Sequence, residues 1–365
     1  MDTLKSLLEF YRGRRILVTG FNGFKGSWLS LWLQSLDADI LGIGLDTPST
    51  PSMFEVLRLD SLIHSCTIDV RDYNALADAI GDFQPEVVFH LAAQALVRPS
   101  YEDPLGTLQT NIIGTANLLE ACRHCDAVRG AVIVTSDKCY RNNEWVWGYR
   151  ENDPMGGHDP YSASKGCAEL VTASYIKSFF PAERYGIDHH VAVASARAGN
   201  AIGGGDWGTD RLIPDCFRAL SAGSPIRIRN PRAVRPWQHV LECLSGYLQL
   251  GARLVEEGPK YGCGWNFAPI DMGDVWPVER VVRHICTIWG QGGFEIEGGE
   301  HPHEANMLCL DCTKANIELG WRPRYKVAQA LEVTTEWYKA WSEEPDASRM
   351  REFTLKQIAA YVENE

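Results

Sequence analysis

The sequence is poor in the features that bind nucleic acids or membranes. Its 35 lysines and arginines are outnumbered by 47 aspartates and glutamates, which leaves a net charge of −12 at pH 7. Such an acidic chain argues against a nucleic-acid partner. Asp2, Lys5 and Glu9 interrupt the leucines of residues 1–15, so this stretch predicts neither a signal peptide nor a membrane span. We therefore expect a cytoplasmic protein with no membrane partner.

A disulfide framework is also lacking. The eleven cysteines are an odd number scattered through apolar segments, which is typical of reduced thiols. Cys122 with Cys125, and Cys309 with Cys312, have the CxxC spacing of zinc ligands. The first pair falls in a helical pattern, however, and the second has no neighbouring ligand group. We therefore expect no metal site.

Internal repeats and low-complexity tracts are absent as well. The 365 residues are 45% apolar and 22% charged, which is the balance of a soluble enzyme. This length allows one large domain or two ordinary ones with an ample core.

A glycine-rich turn near the start is the strongest local signal. A short apolar run over residues 15–19 leads into Gly20, Gly23 and Gly26, and an apolar helical pattern follows at once. Glycine lets the backbone approach a diphosphate closely, and the start of the helix offers unpaired N–H groups. The sequence therefore predicts a dinucleotide site at this turn.

Two aspartates follow the next strand-like runs. Asp46 comes about 20 residues after Gly26, where a carboxylate can accept a hydrogen bond from a ribose 2′-hydroxyl; a cap at a strand end is the alternative. Asp69, followed by the apolar Val70, could hold the amino group and the ring face of an adenine, and a simple turn at the strand end is the alternative there.

Strand and helix patterns alternate over the first 198 residues. This alternation predicts an α/β fold with a doubly wound parallel sheet. From about Gly199, short helices are separated by loops that contain proline and glycine. We therefore predict a dinucleotide-binding domain, mainly residues 1–198, and a smaller C-terminal substrate-binding lobe, mainly 199–365, with excursions back to the sheet. The predicted helices cover residues 75–80, 105–123, 160–179, 211–222, 240–256, 274–289 and 326–363.

Tyr161 and Lys165 suggest the chemistry. They lie four residues apart in a predicted helix, so that an ammonium group near a phenol can favour phenolate and supply a base near neutral pH. Alone, this pair is more often found on a surface helix. Together with the glycine turn and with the hydroxyl of Ser136 at a strand end, it predicts hydride transfer at a sugar or alcohol carbon.

Several motifs resemble those of the extended short-chain dehydrogenase/reductase family, and in particular its nucleotide-sugar dehydratases. The resemblance covers nearly the full chain. It is carried by the GxxGxxG turn of Gly20, Gly23 and Gly26, by Asp69-Val70, Leu91-Ala92-Ala93-Gln94, Ser136-Asp137-Lys138 and Tyr161-xxx-Lys165, and by the stretches 198–207, 210–215 and 235–240.

The resemblance implies a Rossmann fold, bound NAD and a hydro-lyase reaction on CDP-glucose. Tyr161 would take the proton of the sugar 4-OH, Ser136 would bind the same oxygen, and Lys165 would hold the cofactor ribose. Asp137 and Lys138 would supply the acid and the base for loss of water, unless the two simply form a salt bridge. Lys138 is the feature that indicates the cytidine nucleotide.

Binding residues follow from the same resemblance. Asn200, Arg211 and Arg235, with Gln94, would contact the nucleotide sugar. His239 is expected to have a structural role, and Phe21-Asn22 departs from the polar pair that is usual in this turn. The residues expected to contact NAD are Gly20, Asn22, Gly23, Phe24, Lys25, Gly26, Asp46, Asp69, Val70, Leu91, Ala92, Ala93, Asn111, Tyr161 and Lys165.

Three alternatives stay open at this point. They are a dehydratase acting on another nucleotide sugar, a 4-epimerase, which needs no acid and base after the strand, and a non-catalytic NAD-binding protein. The resemblance also implies a homodimer formed through the helices predicted at 105–123 and 160–179, and a tetramer is a further possibility.

Overall fold

The computed structural model describes residues 4–269, 275–297 and 307–364. The strands are β1 Arg15–Thr19, β2 Asp39–Gly44, β3 His64–Thr67, β4 Val87–His90, β5 Gly130–Val134, β6 Ala192–Arg197, β7 Ala201–Ile202, β8 Ile226–Ile228, β9 Val234–Arg235, β10 Gln238–His239, β11 Gly264–Asn266, β12 Trp276–Pro277 and β13 Phe294–Ile296. The helices are α1 Leu4–Leu8, α2 Phe24–Ser35, α3 Met53–Leu57, α4 Tyr73–Phe83, α5 Val97–Glu102, α6 Pro104–Leu108, α7 Gly114–Arg123, α8 Pro160–Ser178, α9 Leu212–Ser221, α10 Val240–Glu257, α11 Val278–Trp289, α12 Val327–Glu343 and α13 Ala347–Glu363.

The main sheet has seven parallel strands in the order β11-β6-β5-β4-β1-β2-β3. Apolar runs such as β5 are buried along their whole length, because helices cover both faces of the sheet. The strand order reverses between β1 and β4, and ligands of such sheets bind in the crevice beyond the strand ends at that point. The prediction of a doubly wound α/β fold is confirmed.

The strand β11 shows that the chain returns to the sheet late. Residues Gly264–Asn266 pair with β6, after an excursion through the short strands β7 to β10 and the helices α9 and α10. The division into residues 1–198 and 199–365 by function stays a prediction.

Two long predicted helices are interrupted. The helix expected at residues 105–123 consists of α6, a π-helical turn over Gln109–Ile113, and α7. The stretch 326–363 forms two helices, and the side chain of Asp346 caps the second by accepting from the backbone N–H of Arg349. The helix expected to begin at residue 274 begins at Val278 instead, and residue 274 itself lies outside the described residues.

No helix in the described ranges is both long and apolar enough to cross a membrane. The same residues contain no group of three or more His, Cys, Asp and Glu side chains that could hold a metal ion. All eleven cysteines are free thiols.

Candidate active site

The three glycines of the first turn have different neighbours. A Cβ at Gly20, whose φ is +69°, would lie 2.7 Å from the backbone nitrogen of Ala92, and one at Gly26 would lie 2.0 Å from the carbonyl oxygen of Gly20. A Cβ at Gly23 would meet nothing closer than 3.4 Å. Two glycines are therefore required by packing, whereas Gly23 borders open space at the start of α2. This arrangement fits the diphosphate of a dinucleotide.

The unusual pair Phe21-Asn22 has a local explanation. The buried Phe21 ring lies against Gly42, where a Cβ would come within 2.5 Å of it. Asn22 donates a hydrogen bond from Nδ2 to the carbonyl of Leu45 at 2.5 Å, next to the exposed Asp46. The pair therefore ties the turn to the end of β2.

Asp69 and Val70 are both engaged within the protein. Arg71 forms an ion pair with Asp69 at 2.5 Å, and hydrogen bonding to Arg71 lowers the pKa of the Asp69 carboxyl. Val70 is buried where a Cβ at Gly114 would come within 2.6 Å of its side chain. Their contact with a cofactor stays a prediction.

Asn111 links the loop after β4 to α8. Its Oδ1 accepts from the backbone nitrogen of Gln94 at 2.9 Å, and its Nδ2 donates to the Gln94 carbonyl at 3.0 Å and to Ser164 Oγ at 2.8 Å. The Gln94 side chain donates to Leu96 and Thr107. Both side chains thus shape the crevice edge, and their predicted roles in ligand binding are untested.

His90 is a site residue that the sequence analysis missed. Its ring lies between Thr19 Oγ1, at 2.7 Å from Nδ1, and Thr115 Oγ1, at 3.3 Å from Nε2. Burial lowers the pKa of His90 to about 3, so the ring is neutral. Thr19 Oγ1 in turn accepts from the backbone nitrogen of Ala92, which fixes the loop above the glycine turn. A histidine that ends a buried strand was the available signal.

Ser136 and Asp137 lie together just beyond β5. Ser136 Oγ donates to Asp137 Oδ1 at 2.9 Å and accepts from the backbone nitrogen of Lys138 at 3.2 Å. Both side chains are buried, and a Cβ at Gly199 would lie 1.9 Å from Asp137 Oδ2. The loop after β6 therefore packs directly on this carboxylate.

Tyr161 lies beside Ser136, and the catalytic roles assigned to the two residues stay a prediction. Burial raises the pKa of the Tyr161 phenol to about 12, although a hydrogen bond with Ser136 opposes this effect. Burial and then the charge of Lys25 lower the pKa of Lys165 to about 8. The Tyr161 pKa is thus shifted opposite to our expectation, because desolvation of the phenolate outweighs the hydrogen bond with Ser136 and the charge of Arg211.

Lys138 faces Tyr161 and does not pair with Asp137. Its Nζ lies 5.9 Å from the centre of the Tyr161 ring. The Asp137 carboxylate accepts from Ser136 Oγ instead, and among the described residues it forms no ion pair with Lys138, so the simple salt bridge is not formed. Lys138 is half-buried, and its amine is directed toward the candidate catalytic tyrosine.

Of the predicted substrate residues, Arg211 is the one whose charge is tied to Tyr161. Arg211 forms an ion pair with Asp206 at 3.0 Å, and its charge acts on Tyr161 to lower that pKa. Asn200 has a left-handed backbone, with φ of +36°, in the connection between β6 and β7. Arg235 donates to the carbonyl of Val234 at 3.0 Å.

Two further cations were missed. Arg98, on α5, and Arg229 both bind Asp210, at 2.8 Å and 3.1 Å respectively. Two guanidinium groups therefore share the Asp210 carboxylate, whereas the next residue, Arg211, pairs with Asp206. Arginine suits phosphate oxygens. The sequence did not predict this cluster, because its residues lie in three separate segments of the chain.

Comparison with known proteins gives one consistent result. The sequence profile described as GDP-mannose 4,6 dehydratase matches residues 17–259. The chain is 52% identical over 334 residues to CDP-glucose 4,6-dehydratase of Salmonella typhimurium, covering 91% of this chain and 92% of that protein.

Solved structures agree in fold. An epimerase from Methanothermobacter thermautotrophicus superposes with a TM-score of 0.81 at 22% identity, covering 94% of this chain and 97% of that one. The dTDP-glucose 4,6-dehydratase of Streptomyces venezuelae with NAD bound superposes with a TM-score of 0.76 at 23% identity, covering 89% and 97%.

Proposed function

The chain belongs to the GDP-mannose 4,6 dehydratase family, and from that premise we propose that it is an NAD-dependent hydro-lyase that converts CDP-D-glucose to CDP-4-keto-6-deoxy-D-glucose. The assignment of the substrate rests on the 52% identity, over 91% of this chain, to a CDP-glucose 4,6-dehydratase. The grouping of Ser136, Asp137, Lys138 and Tyr161 at the end of β5 supports the chemistry.

The cofactor site fits NAD, because the turn leaves open space beside Gly23 at the start of α2. Bound NAD would supply the two-electron acceptor for C4 and return the same hydride to C6. Gly20, Gly23 and Gly26 would hold the diphosphate, and Lys165, whose Nζ is fixed at 3.3 Å from the Val134 carbonyl, would hold the ribose.

The first half-reaction is oxidation at C4. Tyr161 takes the proton of the 4-hydroxyl, and Ser136 hydrogen-bonds to the same oxygen. The positive charge of Arg211 favours the ionised phenol that this step needs. The 4-ketone that results makes the proton on C5 acidic.

The second half-reaction is loss of water. Lys138 removes the C5 proton, and Asp137 protonates the departing 6-hydroxyl, so that an enone and water are formed. Reduction at C6, for which bound NAD would supply the electrons, and protonation at C5 would complete the product. Carbon 4 loses two electrons and carbon 6 gains two, so the reaction needs no external oxidant.

The nucleotide end is proposed to lie against Asn200, Arg211 and Arg235, with Gln94 on the opposite edge. Ion pairing of Arg211 with Asp206 keeps one guanidinium in place for the diphosphate. The eleven free thiols support a reducing, cytoplasmic setting.

We also propose a homodimer formed through α6, the π-helical turn, α7 and α8. These elements expose apolar side chains, namely Leu105 (70%), Ile113 (51%) and Leu170 (61%). Exposed apolar side chains on neighbouring helices are typical of a helix-to-helix interface. A tetramer would need a second surface.

The proposal is tested by incubating the protein and NAD with CDP-glucose and, separately, with the UDP-, dTDP- and GDP-linked sugars. Mass spectrometry should show loss of one water from the CDP sugar, and Lys138→Ala should slow that loss sharply. Turnover without a change in mass would indicate a 4-epimerase. Turnover of another nucleotide sugar in preference to the CDP sugar would contradict the substrate assignment.

A further inference from the structure

A buried ion pair lies directly behind the candidate catalytic residues. Glu169 Oε2 and Arg197 Nη2 are 2.6 Å apart, and both side chains are about 95% buried. Glu169 belongs to α8, one turn beyond Lys165, and Arg197 ends β6. A buried pair of this kind is costly to desolvate and is therefore weak evidence for stability alone.

The glutamate end of this pair holds one flank of the catalytic segment. Thr135 Oγ1 donates to Glu169 Oε1 at 2.5 Å. Thr135 immediately precedes Ser136 and is itself buried. The start of the Ser136–Lys138 segment is thus fixed to the helix that carries Tyr161 and Lys165.

The arginine end holds the other flank. Arg197 Nη1 donates to the hydroxyl of Tyr140 at 2.6 Å, and that hydroxyl donates to Asn266 Oδ1 at 2.7 Å. Tyr140 lies two residues after Lys138 and is fully buried. The segment is therefore fixed on both sides by the same ion pair, through one hydroxyl on each side.

We propose that Glu169 and Arg197 are positioning residues that fix the acid and base of the Ser136–Lys138 segment against the sugar held by Tyr161. This inference rests on the proposed function. The two halves of the reaction use residues on different elements: Tyr161 on α8 acts on C4, whereas Asp137 and Lys138 on the loop act on C5 and C6. A shared anchor holds Tyr161 and the pair of Asp137 and Lys138 at a fixed distance from each other. Small errors in such placement slow a reaction considerably.

Single hydroxyl deletions test the proposal better than loss of a charge, since removing Glu169 would leave Arg197 buried and unpaired. Thr135→Val and Tyr140→Phe each release one flank. Ser195→Ala is the matched control, because Ser195 Oγ also donates to Glu169, at 2.7 Å, but lies on β6 outside the catalytic segment. Thr135→Ser restores the hydroxyl.

The kinetic readout uses CDP-glucose deuterated at C4 or at C5. For Thr135→Val we expect kcat to fall about tenfold with KM within about twofold, and the C5 isotope effect to rise while the C4 effect falls. Thr135→Ser should recover most of kcat, and Ser195→Ala should stay within about twofold of the wild type. Equal losses for Thr135→Val and Ser195→Ala at similar thermal midpoints would overturn the proposal.

A second readout does not depend on the substrate. Amide hydrogen exchange of the peptide that covers residues 135–141 should become faster in Thr135→Val and Tyr140→Phe, and should not change in Ser195→Ala. If the wild type turned over no CDP-glucose, the proposed function would fail while this comparison still tested the anchor. Unchanged exchange in both flank variants would overturn the anchor itself.

Discussion

Lys165 and Val134 are joined by a hydrogen bond that anchors a cation under the catalytic helix: the lysine Nζ donates to the valine carbonyl at 3.3 Å. The ammonium group is buried, and burial followed by the charge of Lys25 lowers its pKa to about 8 from an ordinary value of 10.5. The folded protein thus carries the positive charge of Lys165 at neutral pH, although burial disfavours the charged form of the amine.

Replacement of that lysine should stabilise the protein. Below pH 8 the folded state carries the full penalty of the buried charge, and the penalty is relieved as pH rises from about 8 to 10.5, because the unfolded state then binds more protons. We expect Lys165→Met to unfold at higher denaturant than the wild type at pH 7. The difference in free energy of unfolding between the variant and the wild type should shrink by about 3 kcal/mol by pH 10.5. A difference that does not vary with pH would contradict this reading.

Removal of the Tyr161 hydroxyl should greatly slow turnover without unfolding the protein. The phenol is the only proton acceptor that we assign to the 4-hydroxyl, and positioned acid–base groups contribute about 10²- to 10⁴-fold. We expect Tyr161→Phe to lower kcat within that range and to shift the thermal midpoint by only a few degrees. The assay is water loss by mass spectrometry. Retention of a tenth or more of the rate would assign the proton transfer to another group.

The glycine turn offers a matched pair of substitutions. Gly26→Ala would bring a Cβ within 2.0 Å of the Gly20 carbonyl and should destabilise the fold, whereas Gly23→Ala meets nothing closer than 3.4 Å. We expect Gly23→Ala to keep its thermal midpoint and to bind NAD at least about tenfold more weakly, because the methyl group takes the space of the diphosphate. Calorimetry of NAD binding measures this directly. Unchanged affinity in Gly23→Ala would place the diphosphate elsewhere.

Glu242 should make stability depend on pH in the opposite sense to an ordinary surface carboxylate. It is buried in α10, accepts from the hydroxyl of Tyr361 at 2.7 Å, and burial raises its pKa to about 7. The folded state therefore binds more protons than the unfolded state between about pH 4.5 and 7, and this contribution to stability is lost as pH rises. The free energy of unfolding of Glu242→Gln, measured in urea, should rise relative to that of the wild type by up to about 3 kcal/mol between pH 5 and pH 8. A constant gap between the two proteins would show that Glu242 is charged throughout.

The proposed dimer can be tested at Leu170, whose side chain is 61% exposed on α8. A glutamate there would be solvated in a monomer but buried in the proposed interface, so Leu170→Glu should shift sedimentation from dimer to monomer. Ile187→Glu, at an apolar residue that is 70% exposed outside these helices, is the control and should leave the mass unchanged. A wild-type monomer would refute the interface.

The sequence was sufficient for the sheet because its signals are local. A few neighbouring residues are enough to predict an apolar strand such as β5 or the glycine turn before α2. The pairing of Tyr161 with Ser136 also followed, since the ends of parallel strands and the start of the next helix meet at one edge.

Other features depend on contacts between distant residues. The direction of the Tyr161 pKa could not be read from its spacing to Lys165, because burial by the surrounding fold decides it. The cluster of Arg98, Asp210 and Arg229 combines three segments that no periodicity connects. Likewise the anchor between Glu169 and Arg197 looks, in sequence, like one charge on a helix and one on a strand.

The π-helical turn at Gln109–Ile113 makes this helix sensitive to changes in length rather than in composition. The turn contains one residue more than an α-helical turn, and Asn111 lies inside it. Deleting a single residue there would replace the wide turn with a regular α-helical turn, so that the Asn111 side chain would lose the position from which it contacts both Gln94 and Ser164. In a library of variants, substitutions along this stretch should therefore be tolerated far more often than deletions of one residue. The number of residues in the turn, more than their identity, keeps the edge of the crevice in place.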